Sequence, residues 1–396
     1  MAKEVLINCY LVFFKVLFTL FKIFTLRRKI VFVCSYTDNG QFVYDELRRR
    51  GTEAEIVFLC RGRTATVHFG RTGETVIPFE NANIWQLTRS AYHLATAKLV
   101  VVDNYFGFLS VADFKKGVLC IQLWHACGAF KTFGLKDHSV TFRSARARAR
   151  FSTVYRHFDK IIVGSDAMEA IFRQSFGLGD AHFLHLGIPR TDLFFDLKKQ
   201  AKIKKSMSKM SSGKKIILYA PTFRDQPLKK LGLDLTMMEE KLSRDYVLIL
   251  RLHPSDRGKM IDFSWDHEFF IDGSRWDSVN ELLLGTDLLV TDYSSIPFEF
   301  ALLQRPMIFF PYDLNAYKKN RGLWGNYEQM VPGPVAHSTQ EVIQMIKHDS
   351  FNARQIAAFS EKWNCYSTGQ SSSRVVDYFI AYLNKQGDNG HIDYEQ

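Results

Sequence analysis

Four short stretches carry side chains whose types and spacing could do chemistry on a phosphorylated substrate. The first is Trp124-His125-Ala126-Cys127-Gly128-Ala129-Phe130-Lys131. An apolar run delivers a histidine to its end, a loop of small residues around Gly128 follows, and Lys131 comes next. A neutral histidine can take a proton from an attacking hydroxyl, and a lysine can hold a phosphate. His125 could equally be a satisfied structural histidine. The second stretch is Ala220-Pro221-Thr222-Phe223-Arg224-Asp225. Proline stops the ladder there, leaving Thr222 and Arg224 as phosphate donors. The third is Arg251-Leu252-His253-Pro254, where alternation lets Arg251 and His253 point to one side. The fourth is Val290-Thr291-Asp292-Tyr293-Ser294-Ser295-Ile296-Pro297-Phe298-Glu299. Its serines and the amides of a following helix can bind an anion, and Glu299 could accept hydrogen bonds from a ribose. Ser294 and Asp292 also suit a helix cap that holds no ligand.

The elements that present these residues are strands. Apolar runs without polar alternation cover Ile30–Ser35, Glu55–Cys60, Leu99–Asp103, Val118–Trp124, Ile161–Gly164 and Phe183–Gly187. Helical patterns fall between them at Gln41–Arg49, Trp85–Ala95 and Ala167–Phe176. This pattern predicts a parallel sheet covered on both faces. From Lys198 to Lys215 the chain turns rich in Lys, Ser and Met, as a surface connection would be. The strand pattern then restarts at Ile216–Ala220, Tyr246–Arg251, Phe269–Asp272, Leu288–Thr291 and Met307–Phe310. The expected architecture is α/β and GT-B-like, with two Rossmann-like domains facing a cleft. Their predicted spans are 30–197 for the N-terminal domain and 216–385 for the C-terminal one. Residues 198–215 form the expected linker, and 386–396 a tail. Ligands of such sheets bind outside the carboxyl ends of the strands, where all four stretches lie.

Residues 1–29 read as an amphipathic membrane-associating helix with a basic flank. Asn8, Lys15 and Lys22 recur every seven residues within an otherwise apolar circumference, and Arg27, Arg28 and Lys29 follow. A signal peptide would carry its charges first and end in small residues. A transmembrane helix would need about 20 predominantly apolar residues, and two lysines interrupt this one. The expectation is a helix in the interface, its aromatic face in lipid and Lys15 and Lys22 reaching the headgroups. Arg27, Arg28 and Lys29 would meet an anionic membrane surface.

Composition narrows the class. A net charge of +11 calls for an anionic partner. The six cysteines form no CxxC pair, which fits reduced core thiols. No glycine loop of Walker type and no DxD pair is present, so no metal and no cofactor are expected. Arg143, Arg146, Arg148, Arg150 and Arg156 form a basic stretch that suits either a solvated helix or an anionic contact. No zinc spacing or aromatic RNP motif supports nucleic acid as the partner.

Taken together, these stretches resemble the CDP-glycerol glycerophosphotransferase family of bacterial teichoic acid synthesis. Further segments that carry the resemblance are Leu94-Ala95-Thr96-Ala97-Lys98, Gly187-Ile188-Pro189-Arg190-Thr191-Asp192, Val331-Pro332-Gly333-Pro334 and Ser372-Ser373-Arg374. The resemblance implies CDP-glycerol as donor and monotopic attachment to the cytoplasmic face of the membrane. It implies that His125 is the base and that His253 and Arg251 act at the donor phosphates. It places Thr222, Arg224, Ser294 and Ser295 at the donor phosphates; Asp292 and Glu299 are expected beside them on the donor side, and Lys131 and Gly128 on the acceptor side. Ala126-Cys127-Gly128 stands where many members carry Gly-Thr-Pro. Among members the chain is most similar to the short priming transferases, which add one glycerol phosphate to an undecaprenyl-diphosphate-linked ManNAc-GlcNAc disaccharide. Polymerases of glycerol or ribitol phosphate stay open as alternatives, as does a non-catalytic basic module. The oligomeric state, a homo-oligomer included, is also open.

Overall fold

The computed structural model describes residues 2–222, 224, 231–252 and 268–385. His253, expected at the donor phosphates, lies outside the described residues, as do Phe223 and the tail from 386.

The chain builds two parallel sheets. The first contains β1 (Arg27–Cys34), β2 (Glu55–Cys60), β3 (Thr75–Pro78), β4 (Ala97–Val102), β5 (Leu119–Gln122), β6 (Lys160–Ile162) and β7 (Phe183–Leu184). Their order is β3-β2-β1-β4-β5-β6-β7. The second contains β8 (Lys215–Ala220), β9 (Tyr246–Leu250), β10 (Phe270–Asp272), β11 (Leu288–Thr291) and β12 (Met307–Phe309), ordered β10-β9-β8-β11-β12. Every registered pair is parallel, for example Val31 with Val57 and Val100. Strands such as Ile30–Cys34 are buried throughout because helices cover both faces. In each sheet the order reverses beside its first strand, between β1 and β4 and between β8 and β11. Such reversal points open a crevice at the strand ends.

The two halves are not consecutive in the chain. The C-terminal helix Ser371–Asn384 returns to the first sheet. Its Val375, Val376, Phe379 and Leu383 share a core with Ile30, Phe32, Leu99 and Val101. Asp192 caps its start, accepting from Ser371 N at 2.8 Å and Ser372 N at 2.7 Å. Arg374 Nε donates to Leu186 O at 3.0 Å. The motifs around Pro189 and Ser372 therefore fasten this helix in place. The span expected as a linker is largely a helix, Leu197–Met210. Its lysines face water, and it docks through buried Met207 against Gly285.

The N-terminal helix Ala2–Phe21 corrects one expectation about orientation. Its aromatic face turns into the protein. Phe14 and Phe18 are buried, and Phe14 packs on Phe79 and Phe108 at 6.5 and 5.5 Å between ring centroids. The outer face is apolar too, with Val5, Leu6, Val12, Val16 and Leu20 exposed. Lys22 is paired at the surface, its Nζ donating to the exposed Asp113 at 2.7 Å. The basic flank is the start of β1. Lys29 is fully buried, bonding Thr96 Oγ1 at 3.0 Å beside Glu55 at 3.3 Å, so it cannot touch a membrane. Arg28 donates to Asn384 Oδ1 of the C-terminal helix at 2.8 Å. Lys15 and Arg27 stay exposed.

Candidate active site

The carboxyl ends of both sheets face one cavity of about 590 Å³. Tyr36, Trp124, His125, Gly128 and Lys131 line it from the first sheet, and Thr222, Arg251, Ser294, Ser295 and Tyr317 from the second.

His125 is the best-fixed group on the first side. Trp124 before it adopts φ 56°, a left-handed conformation that bulky residues rarely accept. Surrounding bonds enforce that turn. Trp124 N donates to Gln122 Oε1 at 2.8 Å, and Asn39 Nδ2 donates to Trp124 O at 2.9 Å. The His125 ring then stacks on Tyr36 and Trp124 at 4.6 and 4.4 Å. Its Nδ1 lies 2.9 Å from Asp103 O. A carbonyl only accepts, so Nδ1 carries the hydrogen and Nε2 keeps its lone pair. Burial pushes the His125 pKa down to about 4. Arg190 and Lys131 push the same way, against the Asp103 carbonyl. The ring is therefore neutral near pH 7 and able to receive a proton.

Lys131 stands nearby with its pKa lowered by burial, Asp292 opposing that shift. Gly128 has a packing reason to be glycine. A Cβ there would lie 2.2 Å from the Phe298 ring of the second half. The two halves meet at this point.

On the second side Thr222 N donates to Asp292 Oδ1 at 2.8 Å, and Thr222 Oγ1 is buried without a hydrogen-bond partner among the described residues. An unpaired buried hydroxyl beside a cavity suits a ligand oxygen. Ser294 Oγ accepts from Ile296 N at 3.3 Å, and Ser295 precedes the helix Ile296–Phe300 without capping it. That helix is five residues long, so its dipole is small and the hydroxyls and amides themselves are the donors. Arg251 also lines the cavity, with Nη1 held by Gly273 O and Trp276 O at 2.6 Å each.

Three residues expected on the donor are engaged elsewhere. Arg224 bonds Asp313 Oδ2 at 2.7 Å and Asp292 Oδ2 at 2.7 Å, over the rings of Tyr293 and Tyr317. Burial alone would lower its pKa, but Asp313 and Asp292 hold it above the ordinary arginine range. Asp292 is buried and spends its oxygens on Thr222, Tyr293 N and Arg224. Glu299 is buried and paired with Arg190 of the first half, so it is not an exposed ribose acceptor. All three shape the site from behind.

Residues the motifs did not single out matter as much. Tyr36 stacks on His125, Asp103 presents the carbonyl that orients its ring, and Arg190 joins the halves. Asp103 closes the apolar run of β4, and that position was its available signal. Arg190 could not be assigned, because its partner lies 109 residues away.

A family profile described as CDP-Glycerol:Poly(glycerophosphate) glycerophosphotransferase matches residues 16–381. The teichoic acid glycerol-phosphate primase of Bacillus subtilis (strain 168) is 33% identical over 95% of this chain and 98% of its own length. The teichoic acid poly(ribitol-phosphate) polymerase of Bacillus spizizenii (strain ATCC 23059 / NRRL B-14472 / W23) is also 33% identical, over 89% of this chain and 56% of its own. Among solved structures, the wall teichoic acid polymerase TagF superposes with a TM-score of 0.77 at 23% identity, covering 97% of this chain and 98% of that one. At that identity the likeness shows the two-sheet GT-B-type fold.

Proposed function

The chain belongs to the CDP-glycerol:poly(glycerophosphate) glycerophosphotransferase family, and we propose that within it this enzyme is a primase. It transfers one glycerol phosphate from CDP-glycerol to an undecaprenyl-diphosphate-linked ManNAc-GlcNAc acceptor and releases CMP. The match along nearly the full length of a glycerol-phosphate primase supports the priming role.

The observation that carries the mechanism is the tautomer of His125 beside the cavity. An acceptor hydroxyl gives its proton to Nε2 as its oxygen bonds the glycerol-bearing phosphorus. The bond from that phosphorus to the CMP oxygen breaks, and CMP leaves with the electron pair. Positioning and charge stabilisation supply most of the rate in such transfers. Thr222, Ser294, Ser295 and Arg251 hold the donor diphosphate, and Lys131 balances charge as it develops. His253 is assigned to the same phosphates. Arg224 and Asp292 fix the Thr222 turn. The exposed apolar face of the N-terminal helix, with Lys15 and Arg27, holds the enzyme on the cytoplasmic face of the membrane.

Incubation with CDP-glycerol and the lipid-linked disaccharide, followed by mass measurement, tests this reading. One added glycerol phosphate is expected. A ladder would favour the polymerase reading, to which the equal identity with a polymerase lends weight. No addition would refute transfer to this acceptor. His125→Ala should keep CDP-glycerol binding and lower turnover by about three orders of magnitude. Near wild-type CMP release with acceptor present would remove His125 from the role of base.

A further inference from the structure

The turn that presents His125 is held from a second strand end. β1 leads into the helix Asp38–Arg49, and Asn39 sits in the first turn of that helix. A short polar side chain in a first turn usually caps its own helix or faces water. Asn39 is instead 3% exposed and reaches across to the residues that follow β5.

Three hydrogen bonds fix its side chain. Nδ2 donates to Trp124 O at 2.9 Å and to Leu123 O at 3.4 Å. Oδ1 accepts from Arg190 N at 3.1 Å. Carbonyls only accept and a backbone N–H only donates, so the amide fits one way round. The Arg190 guanidinium pairs with Glu299 of the second half, so Asn39 is braced from the joint between the halves. The loop leading to Asn39 is pinned as well. Buried Asp103 accepts from Ser35 N at 2.9 Å and from Tyr36 N at 2.8 Å, while its own carbonyl faces His125 Nδ1.

Trp124 is thereby gripped on both sides of its Cα. Gln122 Oε1 takes its N–H, and Asn39 takes its carbonyl. Gln122 is tied in turn by Nε2 to Asn104 O at 3.1 Å. Together the two grips hold a φ of 56° that a tryptophan alone would leave. The carbonyl grip governs the next residue. The peptide between Trp124 and His125 is a rigid plane, and its orientation sets where the imidazole starts. Releasing that carbonyl lets the plane rotate and carries Nδ1 away from Asp103 O.

We propose that Asn39 is a positioning residue for the transfer reaction, its side-chain amide setting the direction of the His125 ring. It is not among the residues that line the cavity, and it acts through His125. The inference rests on His125 being the base.

Asn39→Ala removes all three bonds. Asn39→Asp keeps the shape and the acceptor for Arg190 N but loses the amide hydrogens. Each should lower kcat about ten- to hundredfold and leave the KM for CDP-glycerol within about twofold. The unchanged KM also shows that the variants are folded. Wild-type kcat in Asn39→Asp overturns the proposal, since the bond to Arg190 would then suffice. Added to His125→Ala, Asn39→Ala should lower turnover by less than about twofold more, because a residue that acts through the imidazole has nothing left to position. Losses that multiply in the double variant overturn the proposal. NMR of the ring nitrogens tests the positioning by itself. Wild type should carry hydrogen on Nδ1 alone, and both Asn39 variants should show a mixture of tautomers. A single unchanged tautomer overturns the proposal. If His125→Ala turns over like wild type, the base reading falls, and the ring tautomer still decides whether Asn39 directs His125.

Discussion

Removing one partner of the Arg190–Glu299 pair should be more harmful than removing both. Arg190 is 7% exposed and Glu299 2%, so the charges are almost wholly out of water. In Glu299→Gln the guanidinium keeps Asp38 as its charged partner among the described residues, at 3.8 Å, and Asp38 is partly solvated. Breaking a buried pair costs about 3–5 kcal/mol, and Asp38 places this case near 3. Unfolding entropy of about 2.1 cal/mol/K per residue, over 396 residues, gives about 0.8 kcal/mol/K. Glu299→Gln should therefore melt about 4 °C below wild type, and Arg190→Met by a similar amount. Arg190→Met/Glu299→Met leaves no orphan charge and should recover most of that loss. Scanning calorimetry of the four proteins near neutral pH measures the coupling. Two single losses that simply add in the double variant would refute the argument that the halves are joined by this pair.

Three further outcomes are expected. Gly128→Ala should destabilise by about 2 kcal/mol, because its Cβ meets Phe298 at 2.2 Å, and Phe298→Leu should relieve part of the loss. The check is melting temperature with the KM for CDP-glycerol. The His125 ring should titrate near pH 4 when followed by NMR. Its folded pKa lies below the unfolded value of about 6.5, so its contribution to stability is present above about 6.5 and lost as pH falls towards 4. A midpoint at 6.5 would show that the ring is not desolvated. Phe14→Ala should loosen the N-terminal helix by about 3 kcal/mol or more, since the ring is wholly buried. Protease should then cut between that helix and β1 faster than in wild type.

The strands of both sheets were legible because buried parallel strands read as unbroken apolar runs. β3 was missed, since Thr75–Pro78 is four residues long and ends in proline. His125, Thr222 and Ser294 could be found because a strand end is a local feature. The engagement of Arg224 and Glu299 could not, because Asp313 and Arg190 reach them from far along the chain. The heptad spacing of Asn8, Lys15 and Lys22 marked a polar stripe correctly. It could not say which of the two flanking apolar faces meets protein, and Phe14 and Phe18 settled that by packing on Phe108 and Phe114. For the same reason the last helix gave no hint that it belongs to the first sheet.

The return of Ser371–Asn384 to that sheet has a consequence for biosynthesis. Ile30, Phe32 and Leu99 leave the ribosome long before Val375 and Phe379, which cover them. The first half must wait, with part of its apolar face open, until the helix Ser371–Asn384 has been made. Exposed surface of this kind invites aggregation or chaperone capture. A nascent chain stalled before residue 371 should consequently hold a folded second half beside an unfinished first one.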